Sequence, residues 1–465
     1  MTQIDIKPDS DHTTFPQRSY GTHLRTVLAL GLPLAGSQLA QFAVHMTDVI
    51  MMGWYGLDEL AALVLASGYW FVTFILLGGF AFAVMPIVAK ALGSQNTTLV
   101  RRATRMAMWL SVIFAVLVYP IFLFSEAALI ALGQEPHIAA LAQPYLMITG
   151  FEMAPALIVQ VFRSYFSALE RTRVVLMAVA AAVVVNFGLN YLFIFGNFGF
   201  PEMGMLGAGL ASFIVSTLMM IGLVIYAQIA TPENELFRNL FKPDWEIFGT
   251  VFKMGLPIGL TSLAEVSLFN VAAIMMGWIG TTSLAAHGIA LQLSAIAFMM
   301  QLGFAQAATI RAGNAFGRGD EADLRRGALV VTCMSFAMAT VTCLVYLTFA
   351  EPLLGLFIAP DEPARAEVMR IGVVLLVLSA LFQFSDGGQV IALSLLRGLQ
   401  DTAIPMWQAT FSYWAVGLPV AYVFGFVINW GAEGVWVGML VGLTVAWILM
   451  GIRFWRYKSR ITTGT

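Results

Sequence analysis

The sequence predicts an all-α polytopic membrane protein with twelve transmembrane helices in two six-helix bundles. Three observations support this fold class. Among 465 residues, 59% are hydrophobic and 11% are charged, whereas an ordinary soluble domain carries about a quarter charged residues. The tetrapeptide Met-Met-Gly-Trp occurs at residues 51–54 and again at residues 275–278. Lys and Arg accumulate in every second connector between apolar stretches, which indicates an even number of membrane spans.

The first observation concerns the apolar stretches, which recur along nearly the whole chain. Each is long enough to cross a hydrocarbon core of about 30 Å as a helix. Together with the Gly, Pro and charge breaks, they predict twelve helices centred near residues 38, 73, 114, 149, 184, 218, 263, 298, 338, 381, 415 and 443.

The second observation is the internal repeat. At an offset of 224 residues, Gly31-Leu32-Pro33 falls on Gly255-Leu256-Pro257, and Arg101-Arg102 falls on Arg325-Arg326. Past the ninth helix the offset becomes 230, where Leu169 aligns with Leu399. Because each half contains six spans, both halves enter the membrane in the same direction. A pseudo-twofold axis along the membrane normal therefore relates them, and a central cavity is expected between them.

The third observation fixes the expected orientation. With both termini cytoplasmic, all of the 24 Lys and Arg residues except Arg365 and Arg370 fall in or beside inside segments. The expected localisation is the cell membrane, as a multi-pass protein of the bacterial inner membrane. The expected domains are a cytoplasmic tail (1–23), a bundle (24–230), a cytoplasmic linker (231–246), a second bundle (247–457) and a cytoplasmic tail (458–465).

Three carboxylates lie well inside predicted spans: Asp48 in the first, Glu265 in the seventh and Asp386 in the tenth. Each costs about 2.5 to 3.5 kcal/mol near the membrane centre. No Lys or Arg is expected at a similar depth to pair with them. They are therefore either functional cavity residues or buried acids kept protonated or bonded to Ser and Gln.

Polar residues at helical spacing around these acids predict a hydrated interior face. The first helix contributes Gln38, Gln41 and His45 with Asp48; the eighth contributes His287, Ser294, Phe298 and Gln301; the tenth contributes Gln383 and Gln389 with Asp386; Glu152 is a further candidate in the fourth. Glu265 has Phe269 one turn later, and a carboxylate with an aromatic ring suits a cation. The histidines are either neutral hydrogen-bonded residues or proton relays.

Several classes of function are excluded or disfavoured. The sequence has no Walker-type glycine loop, no Cys/His metal spacing and no assignable Ser/His/Asp set, so no enzyme and no cofactor are predicted. A net charge of −2 implies no nucleic-acid surface. The expected partners are the lipid bilayer and cationic small molecules, and the expected functional unit is a monomer.

The chain resembles the multidrug and toxic compound extrusion (MATE) family, in its NorM-like bacterial branch, over roughly residues 25 to 455. The resemblance rests on the Gly-Leu-Pro that opens both repeats, on Thr47-Asp48 followed by Met51-Met52-Gly53, on Glu265 with Phe269, and on residues 396–402 (LRGLQDT).

The resemblance implies two bundles around a V-shaped cleft and an antiporter that exports cationic amphipathic drugs and dyes in exchange for sodium or protons. It implies that Glu265 and Asp386 bind the cation with Phe269 nearby, and that Asp48 is important for transport. Phe298 stands where some NorM-like relatives present Tyr, which removes a hydroxyl.

Sodium is preferred over protons because Glu265 and Asp386 suggest a two-carboxylate site. Two alternatives stay open. A flippase-like exporter of lipid-linked oligosaccharides would favour basic residues in the cavity for a pyrophosphate. A membrane receptor or scaffold would show no flux.

Overall fold

The computed structural model describes residues 18–360 and 363–457, so most of both predicted tails lies outside the described residues. Within those ranges the structure contains twelve helices that are long and apolar enough to cross a membrane, and it contains no strand. Each predicted centre falls inside the corresponding helix, which confirms the predicted number of spans. The helices α1 to α12 are Tyr20–Tyr55, Leu57–Gly93, Thr97–Leu123, Pro136–Ala168, Thr172–Phe193, Gly204–Ala230, Trp245–Ile279, Thr281–Arg318, Glu321–Gly355, Arg365–Gly398, Ala403–Val427 and Ala432–Trp455.

Polar side chains cap the starts of several spans at the end of the molecule where α1 begins. The Asn96 side chain accepts a hydrogen bond from the Leu99 backbone N–H, and Asp320 accepts one from the Asp323 N–H, both at 2.9 Å. A side-chain acceptor at this position satisfies one of the four N–H groups that a helix start leaves unpaired. We call this end of the molecule the basic end, because Lys90 and the arginine clusters of α3 and α8 lie there.

The helices pack in two equivalent sets. In the first set α4 is central and packs against α2, α3 and α6, while α1 packs against α5. In the second set α10 is central and packs against α8, α9 and α12. Because α4 and α10 occupy the same place in the two repeats, both halves use the same packing plan.

Glycines at equivalent positions of the two repeats bring the bundles together. A Cβ atom on Gly31 would lie 2.6 Å from the ring of Phe304, and a Cβ atom on Gly255 would lie 2.6 Å from Cα of Phe80. Gly31 is the repeat equivalent of Gly255, and Phe80 is the equivalent of Phe304. An exchange of equivalent partners across an interface is the signature of a twofold axis, so the predicted pseudo-symmetry is confirmed.

A second exchanged pair of contacts extends this interface. A Cβ atom on Gly79 would lie 2.3 Å from the carbonyl oxygen of Gly255 and 2.5 Å from the nitrogen of Gly259. A Cβ atom on Gly303 would lie 2.4 Å from the nitrogen of Ala35, which is the equivalent of Gly259. No side chain fits between these backbones, because real Cβ atoms do not approach other atoms this closely. The helices α1, α2, α7 and α8 therefore cross in close backbone contact.

Polar contacts join the bundles at the basic end. His23 of α1 lies 3.3 Å from Asp323 of α9, a carboxylate that Arg311 and Arg318 of α8 in the same bundle approach at 3.2 and 2.6 Å. Lys90 at the end of α2 donates to Gln400 at 3.1 Å. Buried charges of this kind are tolerated because each has a partner, so the contacts add specificity to the glycine crossing.

The connector between the bundles is fastened at the same end. Arg102 of α3 donates to Asp244 at 2.9 Å and to Glu246 at 2.8 Å. The Arg102 guanidinium holds the pKa of the Asp244 carboxyl below its usual range, because a positive neighbour favours the ionised form. Asp244 also caps the start of α7, so one carboxylate fixes both the linker and the first helix of the second bundle.

The glycine crossing is testable with two matched substitutions in α8. We expect Gly303→Leu to destabilise the protein by about 1 to 3 kcal/mol, the range of an overpacked core. Gly288→Leu should be neutral, because beyond the backbone of its own helix and its chain neighbours no described atom lies within 4 Å of a Cβ at that position. Thermal unfolding of the purified variants in detergent measures the difference, and equal melting temperatures would contradict the interface described above.

Candidate functional site

In the first bundle, Asp48 is held by two asparagines of α5. Its Oδ1 accepts from Asn190 Nδ2 at 2.6 Å and from Asn186 Nδ2 at 3.1 Å, and only 6% of the residue is exposed. The asparagines are four residues apart and therefore share one helix face. Sequence reasoning missed both, although two amides one turn apart in an apolar span were a readable signal.

A second acid lies in the same bundle. Glu152 of α4 accepts a hydrogen bond from the Ser216 hydroxyl of α6 at 2.7 Å and is 8% exposed. It is close enough to Asp48 for the two carboxyl groups to interact electrostatically, and Tyr145 lies near both. The fourth, fifth and sixth helices therefore surround Asp48 and Glu152 with polar groups, which places both acids in the interior of the bundle.

The polar stripe on α1, which consists of Gln38, Gln41, His45 and Asp48, contacts an arginine. Gln38 Oε1 accepts from Arg163 of α4 at 2.7 Å, and Gln41 Oε1 accepts from the same guanidinium at 3.4 Å. Gln41 and His45 are both exposed in the middle of a membrane span. A long side chain on α4 that points back toward the start of its helix brings this guanidinium to Gln38 and Gln41, which precede Asp48 by ten and seven residues; Arg163 forms no ion pair with an acid among the described residues.

In the second bundle, Glu265 of α7 and Asp386 of α10 approach each other closely enough to interact electrostatically. Glu265 Oε1 and Asp386 Oδ1 are buried and accept no hydrogen bond from the described residues. The structure therefore brings together the two carboxylates that the sequence paired, and it leaves one oxygen of each without a donor. Buried polar atoms normally have a partner, so these two oxygens suit a bound cation or a proton.

Three further groups surround Glu265 and Asp386, and we call the whole set the second cluster. Arg397, placed in a connector by the sequence, lies within electrostatic range of Glu265, although no ion pair of 4 Å or less joins the two among the described residues. The hydroxyl of Tyr413 lies in the field of both carboxylates. The Gln389 amide approaches that hydroxyl, but the geometry falls short of a hydrogen bond. Tyr413 belongs to a π-helical stretch of α11, Phe411–Gly417, and such stretches are frequent at functional sites.

The aromatic partner predicted for Glu265 begins a chain of rings. Phe269 contacts Phe382 edge to face at 6.1 Å, and Phe382 contacts Trp436 at 5.8 Å between centroids. Trp436 Nε1 donates to Nδ1 of the buried His287 at 3.0 Å. An imidazole that accepts a hydrogen bond is neutral, so the structure favours the hydrogen-bonded role for His287 over a proton relay.

The remaining candidates of the second bundle differ in their surroundings. Ser294 is bonded to Ser379 at 2.6 Å, and Gln301 exchanges hydrogen bonds of 2.8 and 3.0 Å with Ser335. These pairs tie α8 to α10 and to α9. Phe298 is half-buried against the apolar core, and the amide of Gln383 is buried without a partner among the described residues.

Two symmetry-related six-helix bundles with buried acids in each define a polytopic membrane transporter. The family model MatE matches residues 33–192 and 257–423, one match in each repeat. The protein named Probable multidrug resistance protein NorM from Rhizobium meliloti (strain 1021) is 44% identical over 447 residues, covering 96% of both chains. The protein of the same name from Agrobacterium fabrum is 42% identical over 438 residues, covering 94% of both. This chain belongs to the MATE family.

Solved structures show the same fold at lower identity. The eukaryotic MATE transporter AtDTX14 matches with a TM-score of 0.83 at 17% identity, over 94% of this chain and 96% of that one. The outward-facing conformation of a multidrug resistance MATE family transporter of the MOP superfamily matches with a TM-score of 0.83 at 19% identity, over 96% of this chain and all of that one.

The hydrogen bonding of Asp48 by the asparagines of α5 is testable by a double-mutant cycle. We expect Asp48→Ala and Asn190→Ala to show a coupling energy of about 1 to 3 kcal/mol, because the hydrogen bond joins an amide to a carboxyl group. Chemical unfolding in detergent measures each corner of the cycle. Asp48→Ala with Ser294→Ala of the other bundle is the control and should be additive within about 0.5 kcal/mol. Additivity in the first cycle would show that the bond contributes nothing.

Proposed function

We propose that this protein is a cation-coupled multidrug efflux antiporter that exports cationic amphipathic compounds. The observation that carries the proposal is the buried cluster of Glu265, Asp386, Tyr413 and Arg397 in the second bundle. Membership of the MATE family supports export, and the relatives named multidrug resistance proteins support a broad range of substrates.

The charges of the second cluster suit one monovalent cation. Two ionised carboxylates beside one guanidinium leave a net charge of −1, which is costly in a medium of low dielectric constant. One sodium ion or one proton restores neutrality. Glu265 Oε1, Asp386 Oδ1 and the oxygens of Gln389 and Tyr413 have no donor, and oxygen ligands are what hard cations take. We propose sodium ahead of protons on this basis.

The acids of the first bundle complete the exchange. Asp48 and Glu152 offer negative charge to an organic cation, and the exposed Gln41 and His45 lead toward them along α1. Coupling arises because the inorganic cation and the substrate favour different states, since a ligand with equal affinity for both would shift nothing. Inward movement of the cation gains about 2.3 kcal/mol per charge per 100 mV, and outward movement of a monovalent organic cation costs the same amount, so a one-for-one exchange is driven by the concentration gradient of the inorganic cation.

The closed basic end supports an orientation and a conformational state. We propose that this end is cytoplasmic, since Lys and Arg accumulate on that side. The glycine crossing and the ion pairs around Asp323 would then close the cytoplasmic side, and the cleft would open outward. The protein would work as a monomer in the bilayer, with the two bundles rocking about the crossing.

The basic residues found inside the bundles bear on the flippase alternative. A pyrophosphate headgroup would need a cluster of basic side chains, whereas Arg163 and Arg397 lie in different bundles. Arg397 lies within electrostatic range of Glu265, and Arg163 donates hydrogen bonds to glutamines. The family match supports export of small molecules over this alternative, and a receptor without flux is an outcome of the transport tests below.

Neutralising the second cluster should uncouple transport. We expect Glu265→Gln and Asp386→Asn each to lower ion-driven dye efflux by about tenfold or more, the change that accompanies about 1.4 kcal/mol of lost cation binding. Efflux from cells with matched amounts of protein in the membrane is the measurement. Glu135→Gln, an exposed acid in a connector, is the control and should transport normally. Full efflux by both cluster variants would exclude the assignment.

The coupling ion can be identified by imposing a sodium gradient or a pH gradient. Purified protein in vesicles should move ethidium when a sodium gradient is applied and should respond less to a pH gradient of equal driving force. A response to the pH gradient alone would replace sodium by protons. Intact protein that moves no dye under either gradient would favour a receptor or scaffold.

The orientation is testable by labelling single cysteines in a variant whose Cys333 and Cys343 are replaced by Ala. Gln134→Cys lies in the connector between α3 and α4, and Lys242→Cys lies in the linker between the bundles; both positions are exposed. On intact cells a membrane-impermeant maleimide should label the first and spare the second until the cells are broken open. The reverse pattern would place the basic end outside.

A further inference from the structure

The Arg163 guanidinium in the first bundle has only neutral partners. It donates to Gln38 at 2.7 Å, to Gln160 at 3.3 Å and to Gln41 at 3.4 Å, and each acceptor is an amide oxygen. Its Nε is buried and has no acceptor among the described residues. Within residues 18–360 and 363–457, no ion pair of 4 Å or less involves Arg163, and no carboxylate perturbs it.

Several other buried or half-buried arginines of this protein form ion pairs with acids. Arg102 pairs with Asp244, Arg318 with Asp323, and Arg453 with Asp401. Arg163 departs from this pattern in a membrane span, where an unpaired charge is most costly. A guanidinium that lacks an anion, and whose acceptors are weak and displaceable, is prepared to bind an anionic group.

Arg163 contacts the polar stripe of α1 that ends at Asp48. The α1 stripe runs from Gln38 through the exposed Gln41 and His45 to Asp48. Asp48 follows Gln41 by seven residues, a rise of about 10 Å along the helix. One stripe therefore has a positive group at one end and a negative group at the other, with exposed polar side chains between them.

We propose that Arg163, Gln38 and Gln41 form an anion subsite that binds the carboxylate of zwitterionic substrates, whose cationic group lies toward Asp48. The proposal rests on the efflux function proposed above and deepens it. The guanidinium fork matches a carboxylate in geometry. An anion that displaces the Gln38 and Gln41 oxygens from Arg163 can also accept hydrogen bonds from the NH₂ groups of the same two amides once they turn over.

The test uses two dyes that differ at one group: a zwitterionic rhodamine with a free carboxylate and its methyl ester, which is only cationic. Binding of each dye to the purified full-length protein is measured by fluorescence anisotropy. We expect Arg163→Met to weaken the binding of the carboxylate dye by about tenfold or more, because one charge-assisted hydrogen bond is lost. The affinity for the ester should change less than threefold, which corresponds to roughly 0.6 kcal/mol.

A second variant keeps the test decisive if Arg163→Met folds poorly. Arg163→Lys retains the charge without the fork, and it should preserve a preference for the carboxylate dye that lies between wild type and Arg163→Met. Equal weakening of both dyes by Arg163→Met, or no change in either, would overturn the subsite while leaving efflux intact. Wild-type protein that binds neither dye would instead overturn the efflux function itself.

Discussion

Every charged group inside the membrane must find its partner within the protein, because no water is available in the hydrocarbon to supply one. Asp48 meets this constraint with Asn186 and Asn190, and Glu152 meets it with Ser216. Glu265 and Asp386 do not meet it with a hydrogen bond of this kind, since each keeps a buried oxygen without a donor among the described residues. The buried oxygens without a donor are the places where a transported ion or substrate would complete the polar network.

The duplicated scaffold and the unduplicated charges have separate tasks. Gly31, Gly79, Gly255 and Gly303 form an interface in which equivalent residues exchange partners, so both bundles close on each other by one mechanism. The acids follow no such rule, because Glu265 falls on Gln41 in the repeat and Asp48 falls on Ala272. A symmetric frame that carries asymmetric chemistry lets one conformational change act on two different sites.

The buried arginines extend this asymmetry. Arg397 lies within electrostatic range of Glu265 and reduces the net negative charge of the second cluster, whereas Arg163 lies among glutamines and leaves the first bundle with a separate positive group. With the offset of 230 residues, Arg397 falls on Ser167 and Arg163 falls on Leu393. This asymmetry supports the proposal that the second bundle binds a small cation and the first a larger molecule with distributed charge.

Local sequence determined the twelve spans, the duplication and the candidate acids, because hydrophobic length, repeat spacing and intramembrane charge are properties of the chain itself. The pairing of Glu265 with Asp386 was also predictable from motif and residue type. Only the tertiary structure decided the rest. Asn190 reaches Asp48 across 142 residues, Tyr413 enters the second cluster from a π-helical stretch, and Arg163 and Arg397 extend from helix ends to mid-membrane groups. Such contacts depend on how separate helices pack, and no local pattern records that packing.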